Sequence, residues 1–253
     1  MKTKPFRLAS SGFTLVEMAI VLVIVGLLLG GLLMPLSAQV EQRRISETQK
    51  TLDEIGESLI GFAISNGRLP CPATATIASG AANAGLEACN GGTYGNCTQC
   101  ASPSGVLPWA TLGVSETDAW NWRFSYRVTG YFSQGIAQPL GLGCTPDTLP
   151  TKASFALCSP GDMYVCSSNA GCPATNIASG LPVVVVSHGK NGAGAYNTQG
   201  TQIAVSTDAD EAANSDGNTN FVSHTPTSTF DDIVTWLSPN ILFNRMVAAG
   251  KLP

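Results

Sequence analysis

A chain of 253 residues can hold one sizeable hydrophobic core, or one domain with an appendage. Only 12% of it is charged, against about 25% in an average soluble domain. From Gly67 onward seven basic residues face eleven acidic ones, which argues against phosphate-backbone binding as a default role. A low charge density with abundant Gly, Ser, Thr and Asn suits an extracytoplasmic surface better than a cytosolic enzyme.

At the N-terminus Lys2, Lys4 and Arg7 precede an apolar run with no acid among them. Residues 12–17 read Gly-Phe-Thr-Leu-Val-Glu, and Glu17 is the one ionisable side chain between Phe13 and Met34. Ala19–Met34 is continuously apolar or Gly, and a helix there rises about 24 Å. Adding Phe13–Met18 reaches the roughly 20 residues that span a bilayer. The basic flank predicts a cytoplasmic N-terminus and an exported body. A cleaved secretory signal requires a shorter apolar core with a small-residue cut site beyond it, and Ser37-Ala38 is a weak one. A plain anchor leaves Glu17 unexplained, because an unpaired carboxylate in a membrane is costly.

Lys2–Gly12 followed by Phe13-Thr14-Leu15-Val16-Glu17 resembles the class III leader of type IV pilins and pseudopilins. The resemblance implies cleavage by a prepilin peptidase between Gly12 and Phe13, methylation of the new N-terminal Phe13, and retention of the apolar segment. It also gives Glu17 a partner, the α-amino group of Phe13 on a neighbouring subunit, which lowers the cost of burying the carboxylate. The implied partners are other pilin subunits, the peptidase, an inner-membrane assembly platform and lipid. The implied location is the bacterial inner membrane, single-pass with a periplasmic body, and then a periplasmic or extracellular filament.

Pro35 predicts a kink or interruption. After it Leu36–Asn66 reads as amphipathic helix: Ile45, Leu52 and Leu59 are spaced by seven, as are Ile55 and Phe62. Asn66-Gly67 and the prolines at 70 and 72 stop it. Residues 73–105, Gly- and Asn-rich with clustered cysteines, read as a stapled excursion without regular structure. Trp120–Phe132 alternates as one half-buried strand, Leu181–Ser187 is a central strand, and Gln202–Ser206 and Phe221–Ser223 are weaker strands. Ser238-Pro239 opens a last helix over Asn240–Ala249, stopped by Gly250. The expected fold is α+β: a long N-terminal helix, transmembrane in its first half, packed on one antiparallel sheet with disulfides. The expected segments are a leader (1–12), the helix (13–66) and an exported domain (67–253).

Eight cysteines lie beyond residue 70: Cys71, Cys89, Cys97, Cys100, Cys144, Cys158, Cys166 and Cys172. They suit up to four bridges in an oxidising compartment, with connectivity open among 105 pairings. Sequence proximity makes Cys97/Cys100 and Cys158/Cys166 candidate local links. Cys97-x-x-Cys100 lacks the context of a redox or metal motif. His188-Gly189-Lys190-Asn191-Gly192 lacks P-loop spacing and reads as a strand-ending turn. Neither His188 nor His224 belongs to a catalytic set visible in the sequence, so no enzyme activity is expected. Asp208, Asp210, Glu211 and Asp216, with Asp231-Asp232 shortly after, offer hard oxygen ligands that suit calcium. Ser187-x-Gly189-x-x-Gly192 and Asp232-Ile233-x-x-Trp236 are similar to the calcium-binding loop of major type II secretion pseudopilins. The expected ligands are Asp208, Asp210, Asp216 and Asp232, against the alternative of a solvated acidic loop.

These features predict a structural filament subunit. The alternatives are a minor pilin whose domain binds DNA, a surface or cargo, and a membrane-anchored periplasmic enzyme.

Overall fold

The structure is a computed structural model that describes residues 12–134, 146 and 151–252, without the side chains of 28–36 and Asn96. Lys2, Lys4, Arg7 and Cys144 lie outside the described residues. The chain divides into two compact units, Met1–Arg44 and Ile45–Pro253.

Helix α1 runs from Leu15 to Asn66. It continues through Pro35, where a kink or interruption was expected, and the helix is not interrupted there. Proline removes one helical hydrogen bond, whereas a break in an apolar stretch would strand several backbone groups without partners. Among the described residues no helix is long and apolar enough to cross a membrane. In the second unit the helix buries Leu52, Ile55 and Leu59 of the predicted stripe together with Ile60 and Ala63, while Ile45 and Phe62 are half-buried. It ends at Gly67, whose φ of +72° is the left-handed C-cap conformation and whose amide donates to the Ala63 carbonyl at 2.8 Å.

Beyond the helix the elements are β1 (Cys89–Thr93), β2 (Asn96–Cys100), β3 (Ser104–Val106), α2 (Trp109–Leu112), β4 (Ser125–Val128) and α3 (Gly130–Ser133). They are followed by β5 (Met163–Cys166), β6 (Asn176–Leu181), β7 (Val183–Ser187), α4 (Ala209–Ala213), β8 (Asn220–Val222), β9 (Ile233–Leu237) and α5 (Pro239–Ala248). The class is α+β with antiparallel sheets and disulfides, as expected, but the single sheet is corrected to three among the described residues. These are the β1-β2 hairpin, a four-stranded sheet β3-β4-β7-β9 and a three-stranded sheet β6-β5-β8 whose β5-β8 pairing is parallel.

The four-stranded sheet is covered on both faces. Val183 and Val185 pack with Tyr126, Val128, Leu237, α1 and α5, while Val184 and Val186 pack with Met163, Val165, Leu181 and Phe221. All of β7 is therefore buried, which is why it reads as an unbroken Val run rather than an alternating one. At about 1.5–3 kcal/mol per buried aliphatic side chain, this double layer dominates the stability of the second unit.

Several expectations fail locally. The stretch 73–105 contains the β1-β2 hairpin, and Trp120–Phe132 contributes only β4 before turning into α3. Gln202–Ser206 forms no strand and contributes one isolated bridge, Tyr196 to Gln202. Arg123, a charged residue within the stretch read as a half-buried strand, is fully buried: it pairs with Glu116 at 2.8 Å and lies 4.7 Å from the Trp109 ring centre.

The disulfides are Cys71–Cys100, Cys89–Cys97 and Cys166–Cys172; Cys158 is also bonded, and no cysteine among the described residues is free. Both local links are corrected. Cys97 and Cys100 lie in an extended strand, where residues three apart are about 10 Å apart and point to opposite faces, beyond disulfide reach. Cys166 closes instead on Cys172, because the chain turns back immediately after β5, bringing the two Cα atoms to 5.9 Å. Arg68 and Glu87 form a buried pair, with contacts of 2.6 and 3.1 Å, and Glu87 also accepts from the Cys71 amide.

Candidate functional site

Gly12 and Phe13 precede α1 without regular structure and are exposed, Phe13 at 82%. A Cβ built at Gly12 meets nothing within 4 Å. Thr14 and Glu17 cap the helix. The Thr14 amide and hydroxyl both donate to Glu17 Oε2 at 2.8 Å, and the Glu17 amide donates to Thr14 Oγ1 at 3.2 Å. This is a capping box, and its Thr-x-x-Glu signature stands in the sequence ahead of an apolar run, where the expectation for Glu17 overlooked it. From Leu15 to Leu27 the large apolar side chains are exposed on every face of the helix. Such an all-round apolar surface is stable only inside lipid or among other helices.

The four expected calcium ligands do not converge, which corrects that set. Asp208 is the N-cap of α4 and accepts the amides of Asp210 and Glu211 and the Thr229 hydroxyl. The Thr229 bond, followed by the Asp210 amide, holds the Asp208 carboxyl below the usual range. Asp210 accepts Ser168 Oγ at 3.1 Å and the Asn169 amide at 2.7 Å, and Asp216 accepts the Asn218 amide within its own turn. Capping and turn bonding are the usual uses of aspartate in such places.

Asp232 instead joins Glu211 and Asp231, with one carboxylate oxygen of each within 4.8 Å of the others. Glu211 and Asp232 are buried and Asp231 is half-buried. Gly189 makes the approach possible: at φ +55° its missing side chain leaves room for the Asp231 backbone and carboxylate. The amides of Lys190 and Asn191 donate to Asp231 Oδ2 at 3.1 Å each, and Asn191 Nδ2 donates to Glu211 at 2.7 Å. Asp231 Oδ1 and Asp232 Oδ1 are buried without a hydrogen-bond partner. Burial first, and the neighbouring Glu211 and Asp232 charges after it, push Asp231 up to about 6. Hard oxygen donors with two unpartnered buried oxygens fit a calcium ion. Glu211 and Asp231 were visible in the acidic stretch, but nothing in the sequence separated them from the capping aspartates.

His188 lies beside this cluster, fully buried, with Nε2 2.7 Å from Ser125 Oγ and Nδ1 3.6 Å from Asp232 Oδ1. Ser125 had no signal in the sequence. Ser187 donates to Asp118 at 2.6 Å, and burial raises the Asp118 carboxyl. Residues 188–192 form the expected turn, closed by the Gly192 amide on the His188 carbonyl.

Comparison with known proteins gives one match: residues 7–33 fit the family model for the prokaryotic N-terminal methylation motif. No curated protein and no solved structure matches the chain. The match spans Gly12, Phe13, the Thr14–Glu17 cap and the exposed apolar helix, so the chain carries the N-terminal signature of type IV pilins and pseudopilins.

Proposed function

We propose that this chain is a structural subunit of a type IV pilus-like or type II secretion filament. It is cut after Gly12 on the cytoplasmic side of the inner membrane and held there by Phe13–Met34. Assembly then transfers the apolar segment from lipid into a bundle of identical helices. The observation that carries this reading is the uncovered apolar surface beginning directly at Phe13. Glu17 sets register by meeting the Phe13 ammonium of a neighbour, and the disulfide-bonded second unit faces the periplasm or the exterior. Intact-mass measurement of the membrane-extracted protein tests it. A mature species starting at methylated Phe13 is expected, and a chain retaining residues 1–12 overturns the reading.

A second element concerns the acidic cluster, favoured by the two orphaned oxygens. Glu211, Asp231 and Asp232 hold a calcium ion, which supplies the positive charge that three adjacent carboxylates lack. Asn191 orients Glu211, the amides of Lys190 and Asn191 fix Asp231, and Asn214 fixes Asp232 at 2.8 Å. The ion thereby ties α4 to the start of β9. Calorimetric titration of the chelator-treated protein tests it; no calcium binding at millimolar concentration refutes it.

A further inference from the structure

The second unit carries a cleft that neither the filament reading nor the calcium reading uses. Its lining comes largely from three stretches rich in small and hydroxyl-bearing residues, within 72–75, 101–105 and 194–202, with residues 214–217 beside them. Side chains this short leave the space between β3 and the 194–202 turn unfilled, and a hollow of about 450 Å³ remains. That volume falls within the roughly 300–1,000 Å³ of small-molecule clefts. The hollow is preformed. The Cys71–Cys100 bridge joins the residues immediately before Pro72 and Ala101. Fully buried Arg123 fastens another pair of walls, with Nη1 donating to the Ala75 carbonyl at 2.8 Å and Nη2 to the Thr198 carbonyl at 3.2 Å. Gly105 and Gly194 let the walls approach. A Cβ at Gly105 would lie 2.6 Å from the Ala73 carbonyl oxygen, and one at Gly194 would collide with the Ser215 side chain.

The lining also selects a kind of ligand. Arg127 and Asp216 are the charged residues on it, and their formal charges cancel. Arg127 is already occupied, because Nη1 donates to the Gly217 carbonyl at 2.7 Å and Nη2 lies 3.7 Å from Asp162. An anion would find no free cationic group there and would meet Asp216. An extended peptide adds to an open strand edge, and this edge of β3 is closed. Ser102 Oγ donates to the Ser104 carbonyl at 2.7 Å and accepts from the Ser104 amide at 3.1 Å, while Ala73 and Val106 exchange both backbone hydrogen bonds. What the cleft leaves free is a set of oxygens. Among the described residues the Thr74 and Ser104 hydroxyls have no hydrogen-bond partner. Each oxygen of the exposed Asp216 takes one bond, both from Asn218, whereas a carboxylate accepts about four in all. Tyr196 adds an aromatic ring, its hydroxyl 3.4 Å from Gln202 Oε1.

We propose that this cleft binds a neutral mono- or disaccharide. A sugar hydroxyl is donor and acceptor at once, so it donates to Asp216 and exchanges hydrogen bonds with Thr74 and Ser104, whose hydroxyls have the same double capacity. The C–H face of a pyranose ring is apolar and packs on the Tyr196 ring, while Ala73, Ala88 and Gly105 leave it room. An acidic sugar is disfavoured by Asp216 and by the occupied state of Arg127. The inference goes beyond the filament reading. None of Glu211, Asp231 and Asp232 lines the cleft, so it stands apart from the calcium reading as well.

The test is saturation-transfer difference NMR on the folded full chain in a sugar-free detergent. The probes are the methyl glycosides of glucose, galactose, mannose and N-acetylglucosamine, with lactose and maltose as disaccharides. At least one should receive saturation, with a dissociation constant between about 1 μM and 1 mM. The same sugar should slow amide hydrogen exchange in residues 101–105 and 194–202 of the native sequence. No transfer to any probe at about 10 mM, well above the weakest expected value, overturns the site. So does protection confined to other segments, or tighter binding of N-acetylneuraminic acid than of every neutral probe. Ala101→Trp, at an exposed position of the lining, should weaken binding of that sugar by on the order of tenfold or more, as should Asp216→Ala. Unchanged affinity in both variants, each confirmed folded by circular dichroism, overturns the placement. Exchange protection is read on the native sequence, so misfolding of a variant does not shield the inference.

Discussion

Thr14 and Glu17 cap the start of α1 reciprocally, each satisfying a backbone amide of the other. Glu17 thus has a partner within its own chain before any neighbouring subunit arrives. The two roles separate by substitution. Gln at position 17 keeps the capping geometry and loses the charge, whereas Ala loses both. Both variants should insert normally in membranes and both should fall several-fold in the sheared filament fraction, measured by immunoblot. Normal incorporation of Glu17→Gln would reduce Glu17 to a helix cap.

Gly12 has open space around it, so Gly12→Val should leave the fold of the chain intact. It should nevertheless accumulate as an unprocessed precursor, heavier by the leader, on a denaturing gel. Efficient processing of this variant contradicts the assigned cleavage position.

Arg68 donates two hydrogen bonds to Glu87 in the buried interior of the second unit, and Glu87 also accepts from the Cys71 amide. Removing the acid leaves a buried guanidinium uncompensated. Glu87→Ala should cost about 3–5 kcal/mol in urea denaturation. A loss below about 1 kcal/mol would mean that water reaches Arg68.

Calcium at a hundredfold excess over its dissociation constant should stabilise the protein by about 2.7 kcal/mol, read as a thermal shift that chelation reverses. Glu211→Gln and Asp231→Asn should abolish the shift. Asp208→Asn and Asp216→Asn should preserve it, because those side chains cap a helix and a turn. The opposite pattern would restore the ligand set expected from spacing alone.

The Cys71–Cys100 bridge closes a 29-residue separation. Replacing both cysteines with Ser should cost about 3 kcal/mol, chiefly by freeing the unfolded chain. The same measurement in urea, made beside the wild type, decides it.

Local chemistry alone determined much of this protein. The apolar run from Met18 to Leu27, the Thr-x-x-Glu cap, the stripe through Leu52, Ile55 and Leu59, and the glycine stop at Gly67 each depend on residues within a few positions of one another. Backbone hydrogen bonding and side-chain periodicity act over that same range, so neighbours in sequence suffice to specify the element. The buried Val run of β7 and the start of α5 at Pro239 belong to this class too.

Only the tertiary structure decided the rest. Which cysteine meets which, whether Arg123 is buried, and which carboxylates share a site all depend on segments tens of residues apart. Asp208 and Asp232 look equivalent in the sequence. One spends its oxygens on two α4 amides, while the other is carried by β9 to the end of β7, against His188. Ser125 reaches His188 only because β4 and β7 pair in one register, and a shift of one residue would turn Ser125 to the opposite face. Strand register is fixed by packing on both faces of the sheet, a property of the assembled core that no local window of sequence contains.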